Sequence, residues 1–119
     1  GRMAAARYAQ ENNVLYFGIC GGAQVAVIDI ARNILGLKDA NSIEFAQTDH
    51  PVIDIMPGRE LEEDGIGSMR LGLHPCELKA GSRVRDIYGD SLIHERHRHR
   101  YELNNDYKDE LIGAGLEVS

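Results

Sequence analysis

The 119-residue sequence has no tryptophan, only two phenylalanines and five tyrosines, two cysteines and three prolines. An interior with so few large rings must be filled mainly by aliphatic side chains. Two thiols are too few for the disulfide framework that staples small secreted domains. No charged start leads into an apolar targeting segment, and no apolar run approaches the ~18 residues needed to cross a bilayer. These absences point to a reduced, cytoplasmic setting and away from a membrane. Positive charge is also scarce: 13 Lys and Arg against 19 Asp and Glu leave a net charge of −6. That balance opposes non-specific attraction to nucleic acid or anionic lipid.

What remains is ordinary for a soluble domain, with 43% hydrophobic and 27% charged residues and length for one modest core. No internal repeat or low-complexity segment is present. The opening Gly1-Arg2-Met3 runs directly into a helix-like stretch, and the closing "GLEVS" reads as a strand just starting. The expectation is therefore a domain truncated at both ends.

Hydrophobic patterning predicts helices over residues 3–11, 21–35, 83–88 and 105–114, the second closed by Gly36 and the last by Gly115. The helix over 21–35 is apolar on nearly every side, with Asp29 and Arg32 its only charges, so it belongs inside a layered α/β structure. Residues 14–19 read as a strand buried on both faces, and 52–55 as a further strand. Two short strands over 69–73 and 77–79 flank a predicted turn, and 92–103 reads as one long strand. The acidic segment "GRELEEDGIG" (residues 58–67) reads as an exposed connection. The alternation of strands and helices favours an α/β fold.

"GICGG" (residues 18–22) has the G-x-C-x-G spacing of a nucleophile elbow, with Cys in place of Ser. A nucleophile on a sharp strand-to-helix turn needs slim neighbours, and the following helix directs its N-terminal amides and dipole at the sulfur. The N–H of Gly21 would supply half of an oxyanion hole. Spacing alone leaves Cys20 poised between such a nucleophile and a buried structural thiol. A phosphate cradle is disfavoured, because "GGAQ" carries no Lys and no paired Ser or Thr.

Along "HERHRHRYE", strand alternation places His94, Arg96, Arg98 and Arg100 on one face and Glu95, His97, His99 and Tyr101 on the other. Adjacent arginines on one face need acidic neighbours, such as those over residues 86–90, or an anionic ligand. His97 and His99 lack a third ligand nearby in sequence, which disfavours a metal site, and the acidic total disfavours nucleic acid.

The segments "FGICGGAQVAVIDIARNILGLKDANSIEF", "HPVIDIMP", "SMRLGLHPCEL" and "ERHRHRYELNN" resemble, in the same order, those of the class I glutamine amidotransferase domain of the CTP synthase family. The resemblance covers nearly the whole sequence. It implies a flavodoxin-like three-layer α/β fold of the class I glutamine amidotransferase type. It further implies glutamine hydrolysis at a Cys–His–Glu triad, with the ammonia passed to a synthetase (amidoligase) domain that converts UTP to CTP with ATP and Mg²⁺. Cys20 matches the nucleophile that forms a γ-glutamyl thioester. Gly21, Gly22, Ala23 and Gln24 match the segment contacting L-glutamine, Glu44 the carboxylate holding its α-amino group, and Arg100 the guanidinium binding its α-carboxylate. GTP as an activator and a homotetramer are what the family implies for the parent enzyme.

The sequence departs from the family pattern in two places. Gly21 and Ala23 stand where the family commonly has Leu and Met, so the oxyanion N–H is expected to be less firmly held. The family's base lies in a later His-Pro-Glu motif, and no H-x-E spacing occurs here. "HPCE" (residues 74–77) falls where the family's histidine is not catalytic. The isolated segment is thus expected to be inactive. Two other readings remain at this level, a non-catalytic interaction module of the same fold and a different thiol hydrolase. Glu44 and "HRHRYELNN" oppose the second, since they belong to glutamine recognition.

Overall fold

The structure is a computed structural model that describes residues 1–55 and 69–118. Helix α1 (Arg2–Glu11) leads through Asn12 and Asn13 to the apolar segment before Cys20, after which helix α2 (Gly21–Asn33) begins. The two-residue strand β1 (Asn41–Ser42) and strand β2 (Pro51–Ile55) pair in parallel. Strand β3 (Arg70–Glu77), helix α3 (Arg83–Tyr88), strand β4 (Leu92–His99) and strand β5 (Tyr101–Leu103) follow. A 3-10 turn (Asn105–Tyr107) leads into helix α4 (Lys108–Gly113). The strands form two sheets: β1–β2–β5, with β5 antiparallel to β2, and the antiparallel pair β3–β4.

The core lies where α2 crosses the three-stranded sheet. Ile28 and Ala31 of α2, Ala40, Val52 and Ile53 of the sheet region, and Leu111 of α4 are buried together. Aliphatic side chains do fill it, as the shortage of rings requires. The ends of the elements follow local chemistry. The Ser82 hydroxyl accepts from the Arg85 N–H at 3.3 Å to start α3, and Gly89, at φ 72°, closes it in the left-handed region. On α1 the Arg7–Glu11 pair, 2.8 Å apart one turn along the exposed face, adds only a few tenths of a kcal/mol, roughly.

Four expectations are corrected. Residues 14–19 form no strand, and Leu15, Phe17 and Ile19 are 74%, 76% and 71% exposed. A doubly buried strand needs neighbours to take its backbone groups, and no described strand lies beside this one. The two short strands over 69–73 and 77–79 are instead the single strand β3. Pro75 is accommodated within it because, among the described residues, β3 pairs along one side only. The long strand over 92–103 breaks at Arg100, since β4 pairs with β3 while β5 pairs with β2. The helix over 105–114 opens as a 3-10 turn, where the Asn104 side chain accepts from the Asp106 N–H at 3.0 Å. The expected connection over 58–67 lies outside the described residues.

Candidate active site at the cysteine turn

Cys20 sits at the head of α2 with φ 52° and ψ −117°, a backbone region that side-chain-bearing residues rarely enter. Holding it there costs about 1–3 kcal/mol, which the surrounding turn must over-determine. The Gly22 N–H donates to the Ile19 carbonyl at 2.8 Å, and the Gln24 N–H donates to the Cys20 carbonyl at 3.1 Å, opening the helix. The Tyr16 hydroxyl donates to the Gly22 carbonyl at 2.9 Å and ties the segment before the turn to the one after it. The thiol itself is exposed. Cys20 is therefore not the buried structural thiol that spacing alone allowed.

The glycines of the turn are not equivalent. A Cβ on Gly18 would lie 2.7 Å from the Ala23 backbone nitrogen and 2.7 Å from the Gly22 carbonyl carbon, with no flexible atom to yield. A Cβ on Gly21 would meet only the Arg2 guanidinium, with Nη1 at 2.8 Å, at the end of a long flexible side chain. Gly18 is thus required by the backbone, whereas the glycine at 21 is not.

The first turn of α2 is fastened to the β4–β5 junction. Gln24 Nε2 donates to the Tyr101 carbonyl at 2.9 Å, next in the chain to Arg100, which is half-buried at the break between the sheets. Glu44 is exposed two residues beyond β1, where its N–H donates to the Ser42 hydroxyl at 3.2 Å. Both flanking segments hang on β2: the Ile43 N–H donates to the Ile53 carbonyl at 3.2 Å and the Asn104 N–H to the Val52 carbonyl at 2.9 Å. Gly21 and Gly22 are half-buried and Ala23 is exposed in that same first turn.

Alternation along β4 holds beyond Glu95: Arg96 and Arg98 are exposed, and His97 and His99 are half-buried. Among the described residues Arg96 and Arg98 form no ion pair with Asp86 or Asp90, so the basic face stays open to solvent. Sequence reading puts His97 and His99 together on the opposite face but misses the β3 residues that join them. His97 Nδ1 lies 2.9 Å from His99 Nε2, and His97 Nε2 lies 4.0 Å from Cys76 Sγ. The His74 ring meets His97 edge-on at 5.1 Å. Burial first, and then the neighbouring His99, Arg70 and His74, hold the His97 pKa below the ordinary imidazole value. Strand alternation by itself puts His97 and His99 on one face, but only the β3–β4 register, which pairs Gly72 with His97, brings His74 and Cys76 to them. A second pair, Asp39 Oδ1 and His50 Nδ1 at 2.6 Å, lowers the Asp39 pKa and closes the loop before β2. Among the described residues no group of three or more His, Cys, Asp or Glu is disposed to hold a metal ion.

A family model described as glutamine amidotransferase class-I matches residues 1–119. The CTP synthase of Moorella thermoacetica is 51% identical over 120 residues, covering all of this chain and 22% of that protein. The CTP synthases of Carboxydothermus hydrogenoformans and Staphylococcus aureus are 52% and 48% identical over the same span, again 22% of their length. Among solved structures, the glutaminase domain of Trypanosoma brucei CTPS with bound acivicin superposes with a TM-score of 0.91 at 41% identity. That match covers 99% of this chain and 45% of the other. The chain thus spans about a fifth of the length of the curated relatives it matches, and the fold is the one its segments resembled. Matched along its whole length, with its cysteine on a strained turn at a helix start, the chain belongs to the class I glutamine amidotransferases, and its relatives within them are CTP synthases.

Proposed function

We propose that this chain is part of the glutaminase domain of a CTP synthase, supplying ammonia for the ATP-dependent amination of UTP to CTP. The observation that carries this reading is the exposed Cys20 in its strained turn, within a chain about half identical throughout to CTP synthases. On this reading the Cys20 thiolate attacks the side-chain amide carbon of L-glutamine, and the N–H of Gly21 faces the oxygen that becomes negative. The C–N bond breaks, the departing nitrogen takes a proton and leaves as ammonia, and a γ-glutamyl thioester remains. Water then cleaves the thioester, releasing glutamate and the thiol.

Glu44 holds the substrate's α-ammonium and Arg100 its α-carboxylate, each by opposite charge. Gln24 serves the site by fastening the first turn of α2 beside Arg100 as well as by lining it. These 119 residues hold no H-x-E spacing to supply the base that takes and returns protons, so the segment alone should hydrolyse glutamine poorly. The synthetase domain, with its ATP and Mg²⁺, the activator GTP and the homotetrameric assembly are assigned to the parent enzyme. The described residues offer Mg²⁺ no cluster of ligands. The setting is the cytoplasm; no helix among the described residues is long and apolar enough to cross a membrane.

The test is to label the full-length gene product with a glutamine-like electrophile and locate the adduct by mass spectrometry. Modification of Cys20, blocked by glutamine and accompanied by loss of glutamine-driven CTP formation, is expected. Absence of labelling at Cys20 in an intact protein would overturn the assignment and favour a non-catalytic module of the same fold.

A further inference from the structure

The β4–β5 junction holds an arrangement that substrate binding by Arg100 does not by itself require. Arg70, the first residue of β3, and His99, the last of β4, stand directly opposite each other. Both reach the same carboxylate oxygen on the following strand. Arg70 Nε lies 3.1 Å and His99 Nδ1 3.4 Å from Glu102 Oε1, with the Glu102 side chain only 22% exposed. These are ion-pair distances without hydrogen-bond alignment, so one buried oxygen on the three-stranded sheet lies against the closing pair of the two-stranded sheet, with Arg100 the residue between. His99 is steadied from its other side by His97 Nδ1 at 2.9 Å. Asp54, the cross-strand partner of Glu102, turns its Oδ1 to the N–H of Ile55 at 2.6 Å, while Glu102 faces Arg70 and His99.

A chain that leaves one sheet and joins another bends at the residue in between, and the bend is soft unless both flanks are held. Gln24 holds the carbonyl just after Arg100. Glu102 holds the side chain just before it and, through Arg70, the neighbouring strand. A guanidinium fork binds a carboxylate well only when both its N–H directions are aimed, so a loose bend would cost affinity.

We propose that Glu102 is the positioning residue for Arg100, fixing the sheet-to-sheet bend so that the guanidinium meets the α-carboxylate of glutamine. This inference rests on the reading of Arg100 as the carboxylate-binding group. Glu102 touches no substrate in this arrangement; it acts through the backbone on either side of Arg100.

The experiment is a double-mutant cycle in the full-length gene product, using Glu102→Gln and Arg100→Ala. Glutamine-driven and ammonia-driven CTP formation are measured side by side, the ammonia reaction serving as the reference for an intact fold. Glu102→Gln should raise KM for glutamine on the order of ten-fold with little change in kcat, lowering the glutamine-to-ammonia ratio of kcat/KM. In the Arg100→Ala background the same substitution should add nothing, because the group it positions is gone. A wild-type KM in Glu102→Gln overturns the inference. So do effects that multiply with Arg100→Ala, or an equal fall in both reactions. A wild-type protein that makes CTP from ammonia but not from glutamine overturns the parent reading, and the inference with it.

Discussion

The side-chain amide of Gln24 donates to the backbone carbonyl of Tyr101 at 2.9 Å across 77 residues of sequence. It joins the turn that presents Cys20 to the point where the chain passes from the two-stranded sheet to the three-stranded one. Cys20 and Arg100, the proposed nucleophile and carboxylate-binding group, thus flank one bond between a helix start and a strand junction. On the proposed reading, such a tie fixes the spacing of two groups that act on opposite ends of one small substrate.

Gln24→Ala removes this link and leaves the half-buried Tyr101 carbonyl without its partner. The expected cost is about 1–2 kcal/mol of stability, read from denaturant unfolding monitored within this domain. KM for glutamine should rise as well. An unfolding midpoint equal to that of the wild type would show that the bond is not formed in solution.

The turn glycines should respond in opposite ways. Gly18→Ala drives a methyl group against the backbone of Gly22 and Ala23, and glutaminase activity should fall by about a hundred-fold or more. Gly21→Leu meets only the movable Arg2 guanidinium and narrows the backbone freedom at the oxyanion N–H. It should raise the glutaminase rate, by up to about ten-fold. An unchanged rate in Gly21→Leu would remove the explanation offered for this unusual residue.

Acid should weaken the β3–β4 pair through His97. Its folded pKa is depressed, by burial first and then by His99, Arg70 and His74, with Glu102 opposing. The unfolded chain therefore binds the proton more readily. Stability should fall as pH drops through about 6.5 toward the folded pKa and change no further below it. An NMR titration should place the His97 transition below that of an unstructured imidazole, and His97→Gln should flatten the stability profile in this window. Asp39 contributes in the other sense: its pKa is lowered by the hydrogen bond to His50, so its stabilisation is present above the ordinary carboxylate range and lost in stronger acid.

Asp29→Asn should leave the protein as stable or make it more so. Asp29 is 4% exposed in α2, its Oδ1 accepts from Asn33 Nδ2 at 2.8 Å, and its buried Oδ2 accepts from nothing described. Arg7 is near enough to attract it, and also bonds Asn33 at 2.8 Å, but donates no hydrogen bond to Oδ2. Replacing the carboxylate with an amide keeps the acceptor and removes a charge that burial penalises. A loss above about 2 kcal/mol in thermal or denaturant unfolding would mean that the charge has a partner elsewhere in the full protein.

Much of the local structure was legible because it depends on neighbours in sequence. The helices over 21–33 and 83–88 and the closing glycines 36, 89 and 115, all at positive φ, follow from periodicity and backbone freedom. The spacing of the glycines marked a turn at Cys20 without deciding between an exposed and a buried thiol, and only the structure distinguishes Gly18, which cannot carry a side chain, from Gly21, which can. The stretch over 14–19 misled for a clear reason. Its apolar pattern records the burial that a sheet interior would give it, and no described strand lies alongside it.

The sequence by itself determined the family, through matching segments along nearly its whole length, and the α/β character and the glycine spacing around Cys20, since these rest on residue order. Only the tertiary structure decided that the stretch over 92–103 serves two sheets and bends at Arg100. It alone placed Arg70 and His99 on a single oxygen of Glu102 and Gln24 on the carbonyl of Tyr101. The physical reason is that hydrogen bonds and ion pairs between distant strands depend on register and sheet order. A local pattern of apolar and polar residues does not encode either one.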